Sequence, residues 1–321
     1  MVFLGLVLLI SSCQNKPKFT YLEGEAQGTT FRIVYEGEQD FSQPIDSLFR
    51  VIDHSMSLWD STSIISKLNA NRADVKADNH FEIVFQKSQE VAKTTDGAFD
   101  ITVGPLVKIW GFSYKKGLPF PNQTNIDSLL QFIGYQSIQL QNGVLTKESL
   151  QTEIDFNAIA QGYTVDVMAD FLKSKNIQNY MIEIGGEVRA AGKNEKNQTW
   201  KIGIDKPTNQ EDPNRPLQAV VSLNNKSLAT SGSYRKFVER DGKKYSHAID
   251  PKTGFPITHN LLSISVIAND CMTADAYATA FLVMGLEKAK PLAQQLHLEW
   301  YGIYTLPNGQ MKTTSSVHFL E

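Results

Sequence analysis

Asp275 and Thr279 stand four residues apart in the run Asp-Ala-Tyr-Ala-Thr, a spacing that sets both side chains on one face of a helix. A carboxylate and a hydroxyl are hard oxygen donors suited to Mg2+. Ala276 and Ala278 between them are small enough to let a ligand approach. The plainer alternative is an acid capping its own helix beside an unrelated threonine. His247 lies in a strand-like run just before an Asp-Pro-Lys-Thr-Gly turn at 250–254. An imidazole titrates near neutrality and can take a proton from an attacking hydroxyl; a half-buried strand histidine satisfied by backbone is the alternative. Asp155-Phe-Asn-Ala-Ile-Ala-Gln-Gly162 leads from a strand end into a helix start. Free N–H groups there can cradle phosphate, and an exposed carbonyl can ligate a cation. Asp155 itself is either an acceptor for a ligand's N–H or hydroxyl, or simply a helix cap. Trp59 follows the first helical segment, where an aromatic can stack on a ring system. The stretch from Thr95 to Asp100 combines a turn, an aromatic and an acid, and Trp110 beyond it reads as core.

Those residues need elements to hold them. Ile45, Leu48, Phe49, Ile52 and Met56 recur at helical spacing over 44–56, with Ser42 as N-cap and Pro44 in the first turn. Phe81, Val84, Phe85, Val91 and Ala92 predict a second helix that ends at the Asp96-Gly97 turn. A third runs from Ile126 to Ile133 and stops at Gly134. A fourth, over 158–174, sets Ile159, Tyr163, Met168, Phe171 and Leu172 on roughly one side. Two more are expected at about 271–285 and 287–296. Strand signals fill the rest: a strand, turn, strand pattern around Gly28, the run YMIEI before Gly185-Gly186, and WKIGID, LQAVVSL, YRKFVE, KKYSHAID and LLSISVI. Asn142-Gly143, Asp241-Gly242 and Pro307-Asn308-Gly309 mark hairpins. Hairpins mixed with helices predict an α+β protein with largely antiparallel sheets. No GxGxxG opens a helix, so a dinucleotide-binding doubly wound sheet is not indicated.

Composition narrows the class. A hydrophobic share of 41% and a charged share of 20% are ordinary for a globular protein, and 321 residues suffice for a large core. The net charge of −3 gives no electrostatic footprint for nucleic acid. With Cys13 and Cys271 as the sole cysteines, a disulfide framework is not expected. Cys13 has another meaning. Residues 2–10, VFLGLVLLI, are too short to span a bilayer and match a signal-peptide core. Ile-Ser-Ser-Cys then resembles a bacterial lipobox, with Cys13 as the lipidated residue, although no Lys or Arg precedes the apolar run. Residues 1–18 accordingly read as lipoprotein signal and tether, and 19–321 as the working domain. The expected location is the bacterial cell envelope, exported and held at the membrane on the periplasmic side by a lipid anchor.

Taken in order, these segments resemble the ApbE family, the FAD:protein FMN transferases. The matching blocks are GTTF (28–31), SLWDSTSIISKLN (57–69), TDGAFDITVGPLVKIWGF (95–112), DFNAIAQGYTVDVMADFL (155–172), IEIGGEVRAAG (182–192), and SLATSGSYRKFV through SHAIDPKTGFP to ADAYATA. The resemblance implies an ApbE-like, T-fold-like α+β architecture. It implies Mg2+ held by the Ala158 carbonyl with Asp275 and Thr279, and flavin contacts from Trp59, Ala98, Phe99, Asp100, Asp155, Gln161 and Ile249. His247 corresponds to the family's proposed base. At Gln161 many relatives carry Lys or Glu, and Gln27 replaces a residue that is often apolar. The implied reaction moves FMN from FAD onto a threonine of an exported flavoprotein, typically a subunit of an electron-transfer or ion-pumping complex, and releases AMP. Two rivals share these features: a Mg2+-dependent FAD pyrophosphatase, in which water replaces threonine, and an FAD-binding lipoprotein without chemistry. A carrier needs flavin contacts but no base, so His247, Asp275 and Thr279 together favour the enzyme.

Overall fold

The computed structural model describes residues 17–113, 119–207, 216–234, 237–240 and 242–320. Cys13 and the apolar run before it lie outside the described residues. The chain opens with a hairpin of β1 (Phe19–Ala26) and β2 (Thr29–Glu36). Five helices follow: α1 (Ser42–Met56), α2 (Ile64–Asn69), α3 (Asn79–Thr94), α4 (Gly104–Ile109) and α5 (Gln123–Leu130). After the hairpin β3 (Ile138–Gln141) and β4 (Val144–Lys147) comes α6 (Ala160–Ser174). Strands β5 (Tyr180–Ile184), β6 (Glu187–Ala191), β7 (Trp200–Asp205), β8 (Leu217–Leu223) and β9 (Lys226–Gly232) lead to the hairpin β10 (Phe237–Arg240) and β11 (Lys243–Ser246). The chain closes with β12 (Leu261–Ala268), α7 (Cys271–Met284), α8 (Leu286–Gln295), β13 (Glu299–Thr305) and β14 (Met311–Ser315).

Among the described residues, eight strands form one sheet in the order β1-β2-β5-β6-β9-β12-β13-β14. Every neighbouring pair in it is antiparallel. Side chains alternate across a strand, and β2 shows the result. Ile33 and Tyr35 join a cluster with α1 and α6, while Val34 points into a second cluster with the β7–β8 hairpin. Both faces of the central strands are therefore covered, which is why β12, LLSISVIA, is buried at successive positions rather than in alternation. The α+β, largely antiparallel expectation holds.

The local differences from the sequence reading have simple causes. Ser42 is already helical; Phe41 occupies the cap position and Asp40 accepts the Ser42 N–H at 2.8 Å. Helix α5 starts earlier than expected because Asn122 and Asn125 form a capping box, and it closes at Leu130 rather than Ile133. Helix α6 starts at Ala160, and its apolar side chains do not share one side. Tyr163 packs into the main cluster with α3 and α7, whereas Met168 and Leu172 pack under the sheet. Helix α7 is apolar nearly all round and buried to match.

Candidate active site

The site is built where α6 and α7 start. Gly162, in the first turn of α6, donates its N–H to Asp275 Oδ2 at 2.9 Å. A Cβ on Gly162 would sit 2.7 Å from Asp275 Cβ and closer still to the Cys271 carbonyl, so only glycine permits this approach. One turn further along α7, Thr279 Oγ1 lies 2.9 Å from Ser231 Oγ at the end of β9. The i, i+4 pair therefore reaches two different elements, α6 through the acid and β9 through the hydroxyl. Ala158, half-buried, lies just ahead of the α6 cap residue Ile159 and packs against the main cluster that holds Ala276 and Ala278.

Asp275 is 6% exposed. Burial pushes its carboxyl up to about 7, with the Gly162 N–H pulling it down and Asp166 pushing it up. No cationic side chain among the described residues offsets its charge. A buried carboxylate with no cationic partner among the described residues, and with a hydroxyl one turn along the same helix, is a donor set that fits a hard divalent ion. Among the described residues no group of three or more His, Cys, Asp or Glu is placed to hold a metal, so any metal here depends on this mixed oxygen set.

The α6 start is tied to its neighbours. Asp155 accepts the Asn157 N–H at 2.8 Å, and its own N–H bonds the Ile101 carbonyl at 2.7 Å. Burial pushes the Asp155 carboxyl up to about 6, against the Asn157 hydrogen bond. Asp100 is also buried, and burial raises its carboxyl. Both its oxygens are engaged, Oδ1 by the Thr102 N–H and hydroxyl and Oδ2 by the Tyr135 N–H. It thus fastens the 95–102 loop to residue 135. Phe99 packs in the main cluster, and Ile249 packs against Leu106, Trp110 and Ile126. Their backbones, with half-buried Ala98, are what remains for a ligand. Gln161 sits beside the β5–β6 turn: a Cβ on Gly185 would lie 2.5 Å from Gln161 Nε2 and 3.0 Å from Thr29 Cγ2. The Gly28-Thr29 turn, the Gly185-Gly186 turn and the α6 start thus converge. Gln27 has φ +54° and donates to Asp53 Oδ1 at 3.2 Å, so a polar side chain has a local task there.

His247 follows β11, half-buried, with the Phe112 ring edge-on at 6.1 Å. The 250–254 turn behind it is closed by Gly254 N–H to Asp250 O at 2.8 Å and docked by Trp110 Nε1 on Gly254 O at 2.8 Å. Trp110 is core, as the sequence suggested. Trp59 stands apart at 64% exposed. Its loop precedes α2, whose Asn69 exchanges two hydrogen bonds with Ile154 at 2.8 Å each, next to Asp155. Sequence reasoning did not single out Ser231 or Asp166. Ser231 was visible only as one of several small residues in SLATSGS.

The model of the ApbE family matches residues 27–301. The chain belongs to the ApbE family. A FAD:protein FMN transferase of Haemophilus influenzae is 35% identical over 98% of this chain and 95% of its own length. One from Vibrio cholerae is 34% identical, covering 92% and 90%. Among solved structures, the flavin transferase ApbE from Vibrio cholerae superposes with a TM-score of 0.85 at 32% identity, over 94% of this chain and 98% of that one. The apo form of the Pseudomonas stutzeri flavinyl transferase ApbE gives 0.85 at 30% identity, over 95% and 96%. Family membership thus spans the whole convergent group, from the Gly28 turn through α6 to α7.

Proposed function

We propose that this chain is a Mg2+-dependent FAD:protein FMN transferase whose acceptor is a threonine hydroxyl and whose second product is AMP. The observation that carries the reading is the buried Asp275, with no cationic side chain among the described residues to offset it, at the junction of α6 and α7 in an ApbE-family fold. Asp275, Thr279 and the Ala158 carbonyl are the residues that would hold Mg2+, which supplies charge to offset that of the pyrophosphate. The start of α6 lies in the same region, and the positive end of its dipole favours bound phosphate. Gln161 adds a neutral hydrogen-bonding amide there but no charge.

In this reading His247 takes the proton from the acceptor threonine as its oxygen attacks the FMN phosphorus. A bond forms between Thr Oγ and that phosphorus, the phosphorus–oxygen bond to AMP breaks, and AMP leaves with its oxygen. Trp59 and the backbone of 98–100 and 249 receive the flavin. The acceptor is an exported flavoprotein, and Cys13 carries a lipid that holds the transferase in the cell envelope, with residues 1–18 as signal and tether. The test is to incubate the soluble domain with FAD, Mg2+ and a candidate acceptor and weigh the acceptor. A mass gain of one FMN supports the reading. Free FMN and AMP without that gain would show a pyrophosphatase, and unchanged FAD a carrier.

A further inference from the structure

The two helices that build the site cap each other. Asp275 of α7 accepts the N–H of Gly162 in the first turn of α6 at 2.9 Å. Asp166 of α6 accepts the first two N–H groups of α7, Cys271 at 2.9 Å on Oδ1 and Met272 at 2.8 Å on Oδ2. Gly162 and Asp166 are one turn apart on α6, and Asp275 and Cys271 are one turn apart on α7, about 5.4 Å in each case. Because 162 meets 275 while 166 meets 271, the helices run antiparallel and are clamped at two successive levels. Arg189 of β6 then pairs with Asp166 Oδ1, and both side chains are largely buried. The first N–H groups of a helix have no intrahelical acceptor, and Asp270 already supplies one for α7 by accepting the Thr273 N–H at 2.8 Å. Asp166 completes that set from a neighbouring helix, so it fixes where α7 sits and not merely that it is helical.

We propose that Asp166, braced by Arg189, is a positioning residue for the metal ligand Asp275: it sets the register in which Asp275 meets the α6 start and Thr279 meets the end of β9. This rests on the metal reading given above. Asp166 has both oxygens on α7 N–H groups and Arg189, so it holds the ligand-bearing helix rather than reaching the ligand site itself. Gly162 leaves no slack between the helices, so a shift of α7 at Cys271 carries directly to Asp275 one turn later.

The experiment is Mn2+ binding to the purified soluble domain, followed by the electron paramagnetic resonance of free Mn2+ at a temperature where each variant's circular dichroism shows it folded. Asp166→Asn removes the charge, and Asp166→Glu keeps charge and the Arg189 partner but lengthens the arm by one methylene. Both should raise the Mn2+ Kd by about 10- to 100-fold, the usual loss when a ligand's supporting partner is changed. Asp275→Ala sets the reference, with binding lost. A purely structural Asp166 would lower the thermal midpoint and leave the Mn2+ Kd of the folded variant at the wild-type value; that result overturns the proposal while leaving the metal reading intact. If Asp166→Asn does not fold, Asp166→Glu alone decides between these outcomes. Unchanged Mn2+ binding in Asp275→Ala would instead overturn the metal reading and the positioning role with it.

Discussion

At the scale of single residues, three acids share one physical condition, burial, and differ in what surrounds them. Asp100 is fully engaged by neighbouring N–H and hydroxyl donors and acts as a loop fastener. Asp275 is held by one backbone N–H and, among the described residues, by no cation, which suits it to a metal. Asp155, at about 6 against an ordinary 3.8, holds its proton more tightly in the folded chain. Its neutral form therefore adds stability that is complete below the ordinary value and is lost as pH rises through the folded value. Asp155→Asn stays neutral throughout, so its thermal midpoint should fall less than that of the wild type between about pH 4 and 7, measured without metal or FAD. Parallel midpoint curves would contradict this. His247 carries a separate expectation. His247→Ala should bind FAD as the wild type does, read by flavin fluorescence, while FMN transfer falls by about 10²- to 10⁴-fold. Undiminished transfer would remove the imidazole from the mechanism.

At the scale of elements, what the sequence could show depended on how local the cause was. The Asp275/Thr279 pair was legible because a helical period places both on one side, and the Asn142-Gly143 and Asp96-Gly97 turns because each needs positive φ. Trp110 was legible as core from its apolar surroundings. Ser231 was not, because its partner Thr279 lies 48 residues away and is brought near by the β9–α7 packing. Asp166 was hidden inside a predicted helix, where an acid ordinarily reads as solvent-facing. Helices α2 and α4 have six residues each, too few to display a period. Phe99 and Ile249 illustrate the converse: the family resemblance marks their positions, while the fold takes up their side chains in packing. The tight α6–α7 approach gives its own prediction. Gly162→Ala should destabilise the domain by about 1–3 kcal/mol through overpacking, seen as a lower urea midpoint. A midpoint equal to wild type would mean that α6 and α7 separate freely, against the close approach of Gly162 to Cys271 and Asp275.

At the scale of the whole molecule, one antiparallel sheet covered on both faces gives the loops and helix starts a rigid base. The β1–β2 turn, the β5–β6 turn and the α6 start meet on it, and α7 crosses beside them. Chemistry can then be carried by loops while packing is carried by the sheet. The proposed lipid anchor belongs to this scale too: if Cys13 carries lipid, Cys13→Ala should move the protein from the membrane fraction to the soluble fraction or block its processing, and unchanged membrane association would rule the anchor out. Transfer of FMN fixes which phosphate goes where, and FAD labelled with ³²P separately on each of its two phosphates tests it most directly. With Mg2+ and an acceptor, the label on the FMN-side phosphate should enter the acceptor protein, survive denaturation, and vanish when the target threonine is replaced by alanine. The label on the AMP side should leave as AMP. Both labels recovered only in small molecules, or the AMP-side label found in the protein, would contradict transfer of FMN to the acceptor.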